Sequence, residues 1–532
     1  MDALAFEHHL TSPQGLGRRP PEAFAGTAGG HACCDEVTFH VSVAGDRVLD
    51  AGFDVRGCGA CTAAGSAVVT LVRGAHVLAA ARIGTRAIAA ELGGLSAAKL
   101  HAAELASDAL ARALGRAVSE RGALAHSPAR TLVAMSGGVD SAVAAHLCAQ
   151  RGETVAVTLE LWSDHVAQAE RSCCSATAVA QARALAHGMG LAHLTLDLRA
   201  QFRGEVVDPF ISGWAAGETP NPCVRCNAHL RLDAMLALAA RLGCGGGLAT
   251  GHYARTAEHG HPRGPLLRAA ADPGKDQTYM LAAVRPQSLA RLRFPLGELR
   301  KAQVRALAAG AGLPVADRPD SQDLCFLAGT TREQFLARHG ALGERPGEIV
   351  AVGGRRLGRH RGQHRFTVGQ RRGLGVAAGA PLYVLAREAD SGRVIVGPRE
   401  HLRTRKVTVR AATLHREGAR VDRVKLRYRA QPVPARLVGD AGPGHHRMLE
   451  LALLDDAYGP APGQLACLMD GDLIVGHGTI AGAATIAGSG TVAGSGTVGS
   501  GTVGSGASAA ARSGPPASPV AAAPVAGARA GE

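Results

Sequence analysis

The stretch Thr131-Leu-Val-Ala-Met-Ser-Gly-Gly-Val-Asp-Ser141 constrains this chain more than any other. Thr131 to Met135 is an apolar run that reads as a buried strand. It breaks at Ser136-Gly137-Gly138, and an alanine-rich helix follows from about Ser141 to Gln150. Two glycines allow a sharp turn and a close backbone approach to a ligand, because no Cβ stands in the way. The unpaired N–H groups of that turn and of the first helical turn, from Val139 on, form a nest for an anion. Ser136 and Ser141 add hydroxyl donors, and Asp140 can hold Mg²⁺ against phosphate oxygens. A plain strand–turn–helix corner carries no function. Ser-Gly-Gly-Val-Asp-Ser straight after a strand is far more specific, and it lacks the Gly-Lys-Ser/Thr ending of a Walker loop.

This motif resembles the pyrophosphate loop of enzymes that split ATP into AMP and pyrophosphate, which implies ATP and activation of a substrate by adenylation. The surrounding pattern alternates. Thr154–Leu161 and His193–Asp197 read as strands, and Ala176–Met189, the region of Gln201–Ala216 and Ala228–Leu242 as helices; Leu248–Tyr253 follows. A doubly wound parallel sheet results, with ligands at the carboxyl ends of its strands. Ser136, Leu159 and Gly251 fall on that rim. Leu159 reads equally as plain strand core.

At 532 residues the chain exceeds one core, and three or four domains are expected. A net charge of +14 suits a polyanion such as nucleic acid, while 3% aromatic residues disfavour a large base-stacking platform. No apolar stretch is long enough to span a membrane, and the N-terminus lacks the form of a secretory signal, so a cytoplasmic protein is expected. Twelve cysteines in such a chain argue for metal or sulfur chemistry rather than disulfides.

Residues 1–30 read as a loose arm, 31–118 as a small α+β domain and 119–129 as a linker. In the small domain a hairpin over Glu36–Val55 turns at Ala44-Gly45-Asp46. Its chemistry lies in Cys33-Cys34-Asp35, Gly57-Cys58-Gly59-Ala60-Cys61 and Lys99-Leu-His101-Ala102. Thiolates from separate loops with a His or Asp make a soft-metal or cluster site. These segments resemble the U-type iron–sulfur scaffold family. The resemblance implies Cys33, Asp35 and Cys58 as ligands, but the family's third cysteine position is Ala102. Cys61 or His101 would complete the set, around iron–sulfur or zinc, or the domain binds nothing.

Thr219-Pro-Asn221-Pro222-Cys223-Val-Arg-Cys226-Asn227 is a proline-fixed loop that delivers a cysteine close to a helix start, with Asn227 placed to cap it. Cys325 follows in Asp320-Ser-Gln-Asp-Leu-Cys325-Phe. Such cysteines suit zinc or cluster ligation, or a thiol pair exchanging sulfur. Six segments occur in one order: the Ser136 loop, Thr219–Asn227, Ala249-Thr-Gly251-His252-Tyr253, Lys275-Asp276-Gln277-Thr-Tyr279, Asp320–Phe326 and Gly369–Gly375. Together they resemble the tRNA-specific 2-thiouridylases over about 130–482. The resemblance implies a nucleotide domain (130–342), a small central domain (343–402) and a C-terminal β-barrel (403–482). It implies 2-thiolation of the wobble uridine, with Cys325 carrying a persulfide and Cys226 as nucleophile or resolving thiol. A sulfur donor, a cysteine desulfurase or sulfur carrier, is implied as partner. Asn221, Pro222 and Cys223 would border the flipped uridine, with Cys223 where family members carry an acidic residue. A cluster held by Cys223, Cys226 and Cys325 is the minority alternative. His252 reads as a tRNA contact or as a hydrogen-bonded structural histidine, and Lys275, Asp276 and Gln277 would touch tRNA or order the site.

The stretch Arg355–Arg372 is dense in arginine and reads as a phosphate track. Arg427-Tyr428-Arg429 and Pro462-Gly-Gln464 match family segments that approach the anticodon stem-loop, though Gln464 reads equally as a plain turn residue. From 483 on, Gly-Ser-Gly-Thr-Val repeats read as a disordered tail. Two other classes remain: another ATP pyrophosphatase of the amidating-ligase type, and an iron–sulfur carrier.

Overall fold

The computed structural model describes residues 3–29, 34–164, 176–320 and 324–485. Cys33, Cys173, Cys174 and residues from 486 on lie outside them, and the tail expected from 483 is corrected at its start, since 483–485 end the strand Leu473–Thr485. Among the described residues no helix is long and apolar enough to cross a membrane.

Strands Phe24–Gly29, Glu36–Ala44 and Arg47–Arg56 pair antiparallel in that order. Val37, Phe39, Val41 and Val43 alternate into the core, and Gly45 turns the hairpin with φ of +59°. Helices Gly59–Val72 and Leu100–Arg121 cover this sheet. Their approach is close: a Cβ on Gly26 would lie 2.2 Å from the Ala113 nitrogen. Here the reading of 1–30 as a loose arm is corrected. Ala3–Thr11 is a helix whose His9 Nδ1 lies 2.8 Å from Ser66 Oγ, and Phe24–Gly29 is an edge strand. Small residues that look like loop let that strand lie flush against a helix. The expected linker is stapled too. Leu100–Arg121 runs into it, and Ala123 and Leu124 donate to the Gly45 and Arg241 carbonyls, both at 2.9 Å.

The expected doubly wound domain follows. Its parallel sheet runs Leu292–Arg293, Leu248–Ala249, Thr131–Ala134, Thr154–Glu160, Ala192–Asp197. Thr154–Glu160 is buried along its whole length, as a strand covered on both faces must be. The outermost strand is capped by the N-terminal domain. His193 N donates to the Ala81 carbonyl at 2.8 Å, and Gly115 on the Leu100–Arg121 helix abuts the Thr195 carbonyl. An otherwise open sheet edge is thereby closed. Across this junction Asp108 pairs with Arg183 and, at 2.7 Å, with Arg112, whose other nitrogen meets Glu160 at 2.5 Å.

A four-stranded sheet forms the next layer, in the order Arg356–His360, Gly347–Ala351, Val394–Gly397, Tyr383–Arg387. Beyond it, Arg403–Leu414 pairs with both Gly444–Tyr458 and Leu473–Thr485 and closes the expected barrel. The barrel is extended by Leu266–Arg268 of the nucleotide domain, paired with Leu473 and Ile474.

Candidate active site and metal centre

The pyrophosphate loop is built as its sequence demands. Gly137 has φ of +74° and Gly138 precedes the helix Val139–Ala149. Ser141 Oγ accepts from Ser136 N at 3.2 Å, lies 3.2 Å from Ser136 Oγ and donates to the Gly138 carbonyl at 3.0 Å. Val139 is buried and anchors the helix. Gly251 presses on the loop from the neighbouring strand end; a Cβ there would sit 2.8 Å from Ser141 N. Leu159 is in the core, 6% exposed.

Asp140 has partners that the sequence did not announce. Lys301 Nζ lies 2.7 and 2.9 Å from its two oxygens, and the Tyr253 hydroxyl donates to it at 2.8 Å. Burial, then Asp140, pushes the Tyr253 phenol up, so it stays a donor. Mg²⁺ requires several oxygen ligands in an octahedron. Of these the loop itself supplies Asp140, bonded here to an ammonium and a phenol, so Asp140 would hold a Mg²⁺ only together with the oxygens of bound phosphates. Lys301 also reaches Asp320 Oδ1 at 2.8 Å; Lys275 holds Asp320 Oδ2 at 2.8 Å, and Arg305 lies 3.3 Å from Oδ1. Burial opposes the Asp320 charge, yet the two lysines hold its carboxyl below the usual range. Arg318 donates to the Gly137 carbonyl at 3.0 Å. The segment that leads to Cys325 is thus bonded to the loop once directly, by Arg318, and once through the Lys301 bridge between Asp320 and Asp140.

The cysteine loop differs from expectation in its cap. Asn221, not Asn227, caps the helix, accepting from Cys223 and Val224 at 3.1 and 3.4 Å. Pro222 at the first helical position suits that start. Cys226 therefore sits inside the first turns, buried, followed by a π-helical turn over Asn227–Arg231. Cys226 is buried and Cys325 half-buried, both at the large apolar core that also holds Phe326.

Several residues expected against tRNA are engaged with protein. Gln277 Oε1 accepts from Tyr253 N at 3.0 Å, and Asp276 accepts from Ala270 N and Thr278. His252 lies against Thr250 Oγ1 at 2.9 Å, and burial, then Arg231, pushes its imidazole down to about 3. Gln464 Nε2 donates to the Thr219 carbonyl at 2.6 Å, while Thr219 N donates to Pro462 O at 2.8 Å. Arg387 and Arg410 bond the adjoining Gly217 carbonyl and Glu218. The barrel and central sheet therefore clamp the segment that carries Cys223 and Cys226. Arg427 is exposed, with Nη2 on the Val368 and Gly459 carbonyls. Tyr428 is half-buried, its ring 6.2 Å from Tyr279. Burial, then Asp276, raises its phenol. In the arginine track, Arg355, Arg359, Arg371 and Arg372 are exposed, whereas Arg356 and Arg361 pair with Glu348 and Glu344.

In the N-terminal domain Asp35, Cys58, Cys61 and His101 converge, their ligand atoms within 4.8 Å of one another. Asp35 Oδ1 accepts from Cys58 N at 3.1 Å; Oδ2 meets Cys61 Sγ at 3.4 Å and His101 Nε2 at 3.2 Å. Gly57 leaves the cradle open, since a Cβ there would lie 2.5 Å from Asp35 Oδ1. The two sulfurs are 3.8 Å apart, the separation a tetrahedral zinc with Zn–S of about 2.3 Å requires. Burial, then Cys58 and Asp35, pushes the Cys61 thiol up, so it stays protonated unless a bound cation displaces the proton. These residues fit a soft metal.

Residues 129–329 match the family described as the tRNA methyl transferase HUP domain, 333–398 its PRC-barrel domain, and 5–121 the NifU-like N terminal domain. Fold and site together define a HUP-domain nucleotide enzyme fused to a NifU-like domain. A bifunctional protein NifU/MnmA of Rubrobacter xylanophilus is 44% identical over 488 residues, 89% of this chain and 97% of that protein. A tRNA-specific 2-thiouridylase MnmA of Methylorubrum extorquens is 43% identical over 366 residues, covering 66% and 93%. That of Caulobacter vibrioides is 43% identical over 370 residues, covering 66% and 94%. The chain belongs to the bifunctional NifU/MnmA family.

Proposed function

We propose that this protein is a tRNA-uridine 2-sulfurtransferase that thiolates the wobble uridine, U34, at the expense of ATP. A uracil C2 oxygen is a poor leaving group. In this reading it attacks the α-phosphorus of ATP, and pyrophosphate departs into the Ser136–Ser141 nest. Cys226 thiolate attacks the inner sulfur of a Cys325 persulfide, the terminal sulfur leaves as hydrosulfide, and this adds to C2 and expels AMP. A Cys226–Cys325 disulfide remains, which an external dithiol reduces before the next turnover. A cysteine desulfurase or sulfur carrier supplies the persulfide.

The observation that carries this reading is the clamp on Thr219, held at both its N–H and its carbonyl by the barrel turn Pro462–Gln464. It joins the thiol-bearing segment to the basic half of the chain, a link that an amidating ligase has no use for. Incubation with unmodified tRNA, Mg-ATP and a persulfide donor should release pyrophosphate and form 2-thiouridine one for one. Cys325→Ser should stop thiouridine formation and leave nucleotide binding intact. ATP consumption without pyrophosphate overturns the adenylation; thiouridine made at the normal rate by Cys325→Ser overturns the persulfide.

The Asp35, Cys58, Cys61 and His101 convergence supports a second activity, metal or iron–sulfur binding by the N-terminal domain. The full chain, purified without oxygen, should take up one Zn²⁺ in competition with a chromophoric chelator. Cys61→Ala should weaken that uptake about 10–100-fold. Equal uptake by Cys61→Ala shows that Cys61 is not the replacement ligand. Visible charge-transfer absorption lost in Cys58→Ala would identify a cluster instead.

A further inference from the structure

Arginine fills nearly every basic position of this chain: of 58 Lys and Arg, only Lys99, Lys275, Lys301, Lys406 and Lys425 are lysine. Two of the five, Lys275 and Lys301, converge on one carboxylate, Asp320. A third, Lys425, lies 3.6 Å from Asp276, the neighbour of Lys275. A lysine is a compact point charge on a flexible stem, able to change partner in a way that a guanidinium fork is not. Lys301 is the best placed of them. Its side chain is 13% exposed and bridges Asp140, in the first turn after the glycines, to Asp320. Its backbone N is fixed by Asp272 Oδ2 at 3.0 Å, so the root of the side chain is held while its end is carried by two carboxylates.

Around the loop four cations, Lys275, Lys301, Arg305 and Arg318, face three carboxylates, Asp140, Asp272 and Asp320. Both ends of the Lys301 bridge survive its departure. Asp140 keeps the Tyr253 hydroxyl, and Asp320 keeps Lys275 and Arg305. A side chain whose partners are already satisfied without it, beside a nest of backbone donors, is stored rather than fixed. We propose that Lys301 is a phosphate-binding residue of the nucleotide site, parked on Asp140 and Asp320 until a triphosphate or pyrophosphate arrives. There the greater negative charge of the phosphates draws it off the carboxylates. This rests on the reading that ATP phosphates bind at Ser136–Ser141.

The roles predict opposite signs. Titration calorimetry on the full chain, with ATP, inorganic pyrophosphate and AMP as probes, should show that Lys301→Gln weakens ATP and pyrophosphate about ten- to hundredfold, the range of a lost charged hydrogen bond, and leaves AMP unchanged. Lys301→Arg should restore part of the pyrophosphate affinity. Asp320→Asn, which removes the competitor, should tighten pyrophosphate several-fold, and that gain should vanish in Lys301→Gln/Asp320→Asn. Loss of AMP binding together with ATP, or an Asp320→Asn gain that persists without Lys301, overturns the proposal. Wild-type protein that binds none of the three probes overturns the nucleotide reading itself, a result distinct from wild-type binding matched by Lys301→Gln.

Discussion

Gly251→Val is expected to lower ATP affinity about ten- to hundredfold and to take pyrophosphate release down with it. A Cβ at this position would lie 2.8 Å from Ser141 N and 2.9 and 3.0 Å from the Asp140 carbonyl carbon and oxygen. All three are backbone atoms, so no rotamer change relieves the contact. The start of the Val139–Ala149 helix must shift, and Asp140 moves with it away from Lys301 and Tyr253. Overpacking of this kind costs about 1–3 kcal/mol, here applied to the amides that would receive pyrophosphate. Gly188→Val is the control, since nothing lies within 4 Å of a Cβ there. Calorimetry should separate the two variants clearly. An unchanged affinity in Gly251→Val would show that phosphate binds elsewhere.

The loop was legible because its determinants are local. A β-branched strand, two glycines and a helix fall within a dozen positions, and each dictates its neighbour's geometry. The N-terminal hairpin was legible for the same reason, with Val37, Phe39, Val41 and Val43 alternating toward the core. Long-range partners were not. Lys301 lies 161 positions from Asp140, and no pattern in its own helix Lys301–Gly310 points to the loop. Its rarity as a lysine among arginines was the one signal available. Residues 1–30 misled because low bulk reads as loop, whereas Gly26 is small so that Ala113 can approach. Gln464 and Asn221 were expected as ligand contacts from the family resemblance, with a plain turn role equally open for Gln464. The structure engages both amides with backbone, Gln464 on the Thr219 carbonyl and Asn221 at a helix start, which is the commonest fate of a half-buried amide. Cys61 entered the sequence reading only as an alternative ligand; the structure converges it with Asp35, Cys58 and His101, while the family position, Ala102, is buried.

Asp108→Ala should destabilise the protein by about 3–5 kcal/mol, the typical result of stripping one partner from a buried charge network. The side chains of Asp108, Arg112, Glu160 and Arg183 are only 12, 14, 8 and 5% exposed. Without Asp108, Arg183 loses its carboxylate, and two guanidiniums face each other where water is scarce. Replacement of both members is a different matter: Asp108→Leu with Arg183→Met should recover most of the loss, because apolar packing substitutes well for a buried ion pair. Urea denaturation followed by fluorescence and by far-UV signal would measure this, with the first transition taken because the chain has several domains. An Asp108→Ala midpoint equal to wild type would mean that the network is solvated. The functional consequence follows from where Arg112 ends. It bonds Glu160, the last residue of the strand paired with Thr131–Ala134, and it also donates to the Thr27 carbonyl of the N-terminal sheet. The same guanidinium therefore ties the N-terminal domain to the sheet strand beside the one that leads into the pyrophosphate loop. Asp108→Ala is expected to weaken ATP binding before it unfolds the chain, and the Leu/Met pair, which restores stability without restoring Arg112's second carboxylate, should restore that binding only in part.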